Sequence, residues 1–147
     1  GSPSNQFDVH DPKPMYMLGN FVFRAYRYLH IELNESYGSG VMNYMEYSGY
    51  MYGDGVFFGC AGWYPYAPSG GPISIHKTHF GAGNISSNGL SNIGVTGNNK
   101  TWLRFDRGHS GYTEGGIIIF MSEQDPKNYR RHSVSQRTLN NSSSSPF

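Results

Sequence analysis

The chain has 147 residues, 37% of them hydrophobic, which is the length of one domain with a core of modest size. Charged residues make up only 14% of the chain, against roughly 25% in an ordinary soluble domain, and the formal net charge is +1. Because the positive and negative charges nearly balance, the chain offers no strongly basic surface for nucleic acid or for an anionic membrane. We therefore expect neither partner. No apolar run approaches the roughly 18 residues of a membrane-spanning helix, so we expect no membrane insertion.

The residues that replace charge in this chain are typical of binding loops. The sequence contains 20 Gly and 12 Tyr, and it is also rich in Ser and Asn. Tyrosine offers rigid, amphipathic contact area, while Ser, Gly and Asn offer adaptable hydrogen bonding. The composition therefore favours a protein that binds a partner. Cys60 is the only cysteine, which excludes an internal disulfide and any thiolate zinc site that needs two or more cysteines from one chain.

Shifts in composition divide the chain into three parts. Residues 1–15 hold three prolines and little apolar material, and they are interpreted as a linker or as a remnant of expression. Residues 16–124 are interpreted as one β-rich head domain. Beyond it, residues 125–147 turn basic and then Ser-rich, so we expect a polar tail that is flexible when isolated.

Alternation of apolar and polar residues runs through the head domain and predicts strands. It covers residues 20–33 and, after a Gly-rich turn, residues 41–52. The Asp-Gly pair at Asp54 and Gly55 then predicts a tight hairpin. Residues 56–64 are apolar at both odd and even positions, which is typical of a strand that is buried on both faces or lies at an interface.

The second half of the head domain contains shorter patterns. Residues 73–80, 101–106 and 116–122 each predict a short strand. The Gly-, Asn- and Ser-rich stretch 81–99 fits either a long exposed loop or two weak strands. No segment repeats its apolar residues with the helical period of 3.6 over three turns. The predicted fold class is therefore all-β, an antiparallel β-sandwich or jelly-roll-like head with about six to eight short strands.

The sequence contains no local motif that supplies a catalytic nucleophile with its base. Gly108 to Gly111 comes closest to the elbow of a serine hydrolase, but Tyr112 stands where a second glycine is needed and no helix follows. His76 and His79 have a spacing that could hold a metal on a helix, whereas in a strand it puts the two rings on opposite faces. We therefore expect a protein that is not an enzyme, with no catalytic residue, no metal and no cofactor.

Aromatic residues and histidines are the candidate ligand contacts. Trp63, Tyr64 and Tyr66 border the Pro/Gly-rich loop at residues 65–72, where exposed rings can stack on sugars. Trp63 and Tyr64 also fit a core or subunit-interface position, and we favour an interface for Trp63 and a ligand contact for Tyr66. Loops at one end of the sandwich are the expected binding surface, because rigid strands position them. The candidate ligand-binding residues are Tyr64, Tyr66, His76, His79, Trp102 and His109.

The order of four runs is similar to that of a known class of domain. Residues 28–33 read YLHIEL, residues 42–52 contain GYMY, residues 57–64 read FFGCAGWY and residues 102–105 read WLRF. This order resembles the C-terminal head, or knob, domains of trimeric phage tail fibres and of related fibre-like adhesins of bacteria, predatory ones included. The resemblance covers roughly residues 20–122. The H-x-H repeats that bind iron in some long-fibre tips are missing here, so the resemblance implies no such metal chemistry.

The resemblance implies a homotrimeric, β-rich tip that is extracellular, at the end of a phage fibre or of a bacterial cell-surface or secreted fibre. Such a tip recognises a cell-surface glycan or another envelope receptor without catalysis. Trimer assembly also fits the composition, because a charge-poor body of this size gains stability by burying its aromatics between subunits. Two alternatives stay open: a monomeric carbohydrate-binding module of a larger enzyme, and a structural virion protein.

Overall fold

The computed structural model describes residues 15–38, 42–66, 73–123 and 131–147, which form nine β-strands and a single 3-10 turn at Gly83–Ile85. The strands are β1 (Tyr16–Val22), β2 (Tyr28–Ser36), β3 (Asn43–Met51), β4 (Gly55–Trp63), β5 (Ile75–Gly81), β6 (Gly89–Val95), β7 (Lys100–Asp106), β8 (Gly115–Glu123) and β9 (Val134–Asn140).

The strands pair into two antiparallel sheets. Sheet A has the order β1-β8-β3-β4-β5, and sheet B has the order β6-β7-β2-β9. One cluster of buried apolar side chains draws on both sheets, as in a β-sandwich whose sheets pack face to face. The prediction of an all-β fold with antiparallel strands is therefore confirmed.

Alternation of side chains along each strand builds this core, because successive residues of a strand point to opposite faces of its sheet. Leu29, Ile31 and Leu33 of β2 are buried in sheet B, and Ile117 and Ile119 of β8 are buried in sheet A. The residues next to them in the strands point to the outer faces of the two sheets and do not contribute to this core.

The alternation at residues 20–33, predicted as one strand, is divided between the two sheets. β1 ends at Val22 and β2 begins at Tyr28, so the intervening residues carry the chain from sheet A to sheet B. Phe21 and Leu29 are nevertheless both buried. Both strands present odd-numbered residues to the same core, so the pattern continues across the turn and does not reveal it.

Residues 134–140, which were expected in a polar tail, form β9 at the edge of sheet B. β9 pairs antiparallel with β2, from Leu33 opposite Val134 to Tyr28 opposite Asn140. Within β9 only Val134 and Leu139 are large and apolar. An antiparallel edge strand with solvated side chains needs few apolar residues, so composition gave no sign of it.

The last residues of the chain continue from β9 over the outer face of sheet B, the face that points away from sheet A. Arg104 of β7 donates from Nη1 to the carbonyl of Ser143 over 2.7 Å. The amide of Gly97, between β6 and β7, donates to the carbonyl of Phe147 over 3.3 Å. Residues 141–147 therefore cover part of this face.

β4 buries one face. Phe57, Ala61 and Trp63 lie in the core, while Val56 and Phe58 are more than half exposed. Burial on both faces, one of the two expectations for residues 56–64, is therefore wrong for the single chain. Its alternative, a position at an interface, stays a prediction.

Two other expectations meet the structure only in part. The stretch 81–99, expected as a loop or as two weak strands, contains the 3-10 turn and the single strand β6. The linker expected at residues 1–15 lies outside the described residues except for Met15, and so do residues 67–72 of the Pro/Gly-rich loop.

Candidate ligand-binding site

Three tyrosines form a cluster at one end of the sandwich, which we call the tyrosine platform: the exposed Tyr64 and Tyr66, and Tyr37, which is half-buried against the core. Tyr37 follows β2, and Tyr64 and Tyr66 follow β4. The rings of Tyr37 and Tyr66 stack with their centroids 6.0 Å apart, and the ring of Tyr64 meets that of Tyr66 edge-on at 6.2 Å. Tyr64 and Tyr66 remain 47% and 49% exposed, so about half of each residue is accessible.

Backbone hydrogen bonds between three loops hold the tyrosine platform. The amide of Gly38 donates to the carbonyl of Pro65 over 2.6 Å, and the amide of Tyr66 donates to the carbonyl of Tyr64 over 2.7 Å. The amide of Tyr37 donates to the carbonyl of Asn99 over 2.9 Å. The rings are thus positioned by the backbone, and a ligand that stacks on them would find much of the ordering cost already met.

A buried polar cluster lies at the same end, around Glu35. Asn43 donates from Nδ2 to the Glu35 carboxylate over 2.9 Å, and the Thr101 hydroxyl donates to it over 3.0 Å. His132 donates in turn from Nε2 to Oδ1 of Asn43 over 2.7 Å. These bonds join β2, β3 and β7 to the residues just before β9. They fix these elements relative to one another at the end of the sandwich that carries the tyrosine platform.

The opposite end of the sandwich is built on a wholly buried arginine. Arg107 donates from Nη1 to Oδ2 of Asp54 over 2.8 Å, and the side chains of both residues are fully buried. Its other nitrogens donate to the carbonyls of Tyr26 and Arg24, each over 2.6 Å. One guanidinium therefore fixes the loops β1–β2, β3–β4 and β7–β8 together.

His109, a predicted ligand contact, belongs to that opposite end. Its Nε2–H donates to the second oxygen of Asp54, and its Nδ1 accepts a hydrogen bond from the amide of Gly111 over 3.1 Å. Both ring nitrogens are thus engaged within the protein, although the side chain is 38% exposed. This arrangement orients a loop and leaves neither nitrogen available as a base.

His76 and His79 point to opposite faces of sheet A, as their spacing predicts. His79 packs against the interior: its Nδ1 accepts a hydrogen bond from the Tyr47 hydroxyl, and its Nε2–H donates to the carbonyl of Ile85, both over 2.9 Å. Burial raises the pKa of Tyr47 to about 12. His76 is exposed on the outer face.

Trp102 lies on the outer face of sheet B and is 7% exposed. Its ring stacks on that of His30 with the centroids 5.7 Å apart. Trp102 was predicted to contact a ligand, but in the single chain its ring is buried and offers no open binding surface.

The predicted site residues consequently do not form one site. The structure brings together Tyr64 and Tyr66 and adds Tyr37, which the sequence pattern placed in a turn without a role. Tyr37 lies beyond the predicted strand at residues 20–33, so the sequence pattern held no signal for its place beside Tyr66. The others lie elsewhere: His109 at the opposite end, His76 on the outer face of sheet A, His79 at its inner face and Trp102 on sheet B.

Comparison with protein-family models, with curated proteins and with solved structures finds no match to this chain. Within the part of the chain that the structure describes, no helix has the length and hydropathy required to cross a membrane. Across the same residues, no three His, Cys, Asp or Glu side chains converge as metal ligands would.

Proposed function

We propose that this chain is the non-catalytic receptor-binding tip of a homotrimeric fibre, and that the tyrosine platform binds a cell-surface glycan. The observation that carries the proposal is the set of ring contacts among Tyr37, Tyr64 and Tyr66, of which Tyr64 and Tyr66 are about half exposed, held by backbone bonds between three loops. Aromatic faces pack on the C–H faces of sugar rings, and phenolic hydroxyls supply polar contacts at the rim. An extracellular position, on a phage fibre or a bacterial surface fibre, follows from this role.

Non-catalytic recognition is supported by how three ionisable side chains, those of Asp54, His109 and Glu35, are used. The Asp54 carboxylate accepts hydrogen bonds from Arg107 and from the His109 ring, whose other nitrogen accepts one from a backbone amide. The Glu35 carboxylate is buried and accepts hydrogen bonds from Asn43 and Thr101. A general acid or base needs access to the substrate proton, and these groups are turned to their neighbours instead.

A glycan array followed by titration of the best-bound oligosaccharide tests the binding proposal. Tyr66→Ala is expected to weaken binding about 5- to 150-fold, which corresponds to the 1 to 3 kcal/mol of a sizeable contact. The thermal midpoint should stay nearly unchanged, because the Tyr66 ring is about half exposed. Tyr52→Ala is the matched control, since Tyr52 is a 72% exposed tyrosine in the β3–β4 hairpin at the opposite end.

The same samples separate the alternatives. Sedimentation equilibrium at micromolar concentration should give a homotrimer, and a clean monomer that still binds glycan would favour the carbohydrate-binding module instead. Equal affinity of wild type and Tyr66→Ala would place the binding surface elsewhere. Release of reducing ends from bacterial polysaccharides, abolished by substitution of His109 or Asp106, would contradict the absence of catalysis.

A further inference from the structure

The outer face of sheet A, which points away from sheet B, is unusually apolar. Six large side chains on it are each 54–61% exposed, and we call this set the outer apolar face. A fully exposed Phe or Tyr side chain presents roughly 150 to 250 Å2 and Met or Val somewhat less, so at little over half exposure the six together offer roughly 600 Å2 of surface. The six are Met17, Val22, Tyr50, Val56, Phe58 and Phe80.

Strand register makes part of this face a continuous ridge. Phe58 of β4 lies opposite Phe80 of β5, and their rings stack with the centroids 5.2 Å apart. Tyr50 of β3 lies opposite Val56 of β4, one outward position further along the strands. The four side chains therefore stand next to one another across three strands.

A hollow lies beside the ridge, where the outward residues of β4 become small. It has a volume of about 380 Å3, and Cys60 and Thr78 line it between the rings of Tyr44, Phe58 and Phe120. A second hollow, of about 530 Å3, shares Tyr44, Cys60 and Thr78 and extends towards His76. A ridge and a hollow side by side on one face can interlock between copies rotated about an axis, which is how heterologous contacts close a ring.

The charge on this face is low. Among the described residues whose side chains point outward from the five strands of sheet A, Glu46 is the only one with a carboxylate, and the Tyr44 hydroxyl donates to it over 2.8 Å. The outer face of sheet B differs, because it carries Arg104 and Asp106 and residues 141–147 lie over part of it. Depletion of charge and enrichment in aromatics are the marks of the buried centre of a protein interface.

The extent of the face fits a subunit contact. The largest apolar patch on a typical monomer is roughly 300 to 600 Å2, and one partner in a standard interface buries roughly 800 Å2. The six side chains thus come close to one partner's share before the walls of the two hollows are included.

Other occupants fit the face less well. Phe, Val and Met side chains carry no hydrogen-bonding group for sugar hydroxyls, and four of the six are Phe or Val. The N-terminal residues 1–14 of the same chain contain only Phe7 and Val9 as large apolar residues besides proline, too few to cover six exposed side chains.

We propose that the outer apolar face is the surface through which copies of this chain pack against one another, the ridge of one copy entering the hollow of the next. This inference rests on the homotrimer of the proposed function and assigns its contact surface. It leaves the tyrosine platform outside the contact, at the end of sheet A.

The test is the mass of Phe58→Glu and Val56→Lys in sedimentation equilibrium, with circular dichroism as the check on folding. Wild type should sediment at about three times the chain mass of 16.4 kDa, and both variants at one chain mass with β-sheet signal retained. The thiol of Cys60, which lines the hollow, should react with Ellman's reagent at least about tenfold faster in the variants. Tyr52→Glu adds the same negative charge as Phe58→Glu, at an exposed aromatic residue outside the outer apolar face, and should remain trimeric.

Each other outcome has a definite meaning. A monomeric wild type overturns both the interface and the trimer of the proposed function. A trimeric wild type whose folded variants also stay trimeric overturns the interface alone. If Phe58→Glu fails to fold, Val56→Lys decides, because it places a charge on the same ridge without removing a ring. A wild-type monomer that associates only after residues 1–14 are removed would show that these residues cover the face, against the proposal.

Discussion

The indole nitrogen of Trp102 donates a hydrogen bond to Nδ1 of His30 over 3.2 Å, between two rings that stack at an angle of 17°. This bond fixes the tautomer of His30, because Nδ1 must be unprotonated to accept it. The proton therefore sits on Nε2, which faces the side-chain oxygen of Asn140 at 2.8 Å and the carbonyl of Ser142 at 2.9 Å. A neutral histidine thus joins β7 to the covering segment after β9.

We predict that stability decreases as the pH falls below 6.5 through the titration of His30. Burial lowers the pKa of His30 from its usual 6.5, and Arg104 opposes a second positive charge nearby. Protons then bind more readily to the unfolded chain, so the contribution is complete above pH 6.5 and is lost below it. One proton changes the unfolding free energy by at most about 1.4 kcal/mol per pH unit.

Urea unfolding at fixed protein concentration, at pH 8, 7, 6 and 5, measures this dependence. His30→Gln is the comparison, because glutamine has a donor and an acceptor but no proton to gain in this range. The difference between wild type and variant should shrink on acidification, since only wild type pays for protonation. Glu32 faces the same side of β2, and hydrogen bonds from Thr96, Ser135, Gln136 and Asn98 outweigh its burial and lower its pKa, so it stays ionised throughout. A difference that is constant with pH would contradict the prediction.

Removal of residues 141–147 should expose the Trp102 ring. The segment supplies the Ser142 carbonyl to His30 and the Ser143 carbonyl to Arg104, and without it the outer face of sheet B loses these partners. We expect tryptophan emission to shift to longer wavelength and the thermal midpoint to fall. Trp63 is in the core, so the truncation in a Trp102→Phe background should leave the emission unshifted. An unshifted spectrum with Trp102 present would show that the segment does not shield this ring.

Replacement of Arg107 should destabilise the protein far more than replacement of Arg27. Arg107→Ala leaves the buried Asp54 carboxylate without its cation, which costs about 3 to 5 kcal/mol for a buried pair. The pair of Arg27 with Asp106 has the same shortest distance of 2.8 Å and a second bond of 3.0 Å, but the Arg27 side chain is 41% exposed, so Arg27→Ala should cost at most about 1 kcal/mol. Equal urea midpoints for the two variants would be the contrary result.

Local alternation predicted which face of a strand a residue occupies. His76 and His79 point to opposite sides of β5, and the alternating residues Leu29, Ile31 and Leu33 of β2 are all buried. These outcomes depend only on the geometry of an extended backbone, which is a property of neighbouring residues. The all-β class follows from the same local signal, but the number of strands does not: about six to eight were expected, and the described residues form nine, because residues 20–33 divide into two strands and β9 was missed.

Contacts between distant residues could not be predicted in this way. Tyr37 contacts Tyr66 only because β2 of sheet B and β4 of sheet A both end at the same end of the sandwich. Arg107 lies 53 positions from Asp54 along the sequence. Such pairs depend on strand order and register, which are set by the packing of the whole core. Clustering the aromatics by sequence position therefore found Tyr64 and Tyr66 and missed their third member.

Gly59 is predicted to be irreplaceable at the centre of β4, where Tyr47 and His79 flank it on the neighbouring strands. A Cβ at Gly59 would meet the Tyr47 hydroxyl and would lie 2.7 Å from the carbonyl of Thr78, which belongs to the backbone and cannot turn away. Gly59→Ala should therefore cost about 1 to 3 kcal/mol, the range of overpacked cores. It should also perturb the bond from the Tyr47 hydroxyl to His79.

Gly97→Ala provides the control for this prediction. Its added Cβ would have its nearest neighbour, the Phe147 carbonyl, at an ordinary 3.7 Å, so its unfolding free energy should change by no more than about 0.5 kcal/mol. Urea unfolding gives both values, and the tyrosine fluorescence or NMR signal of Tyr47 reports the local contact. A Gly59→Ala protein as stable as Gly97→Ala would mean that β4 and β5 can separate enough to admit a methyl group. In that case the close packing of Tyr47 over β4 would not explain why this position is a glycine.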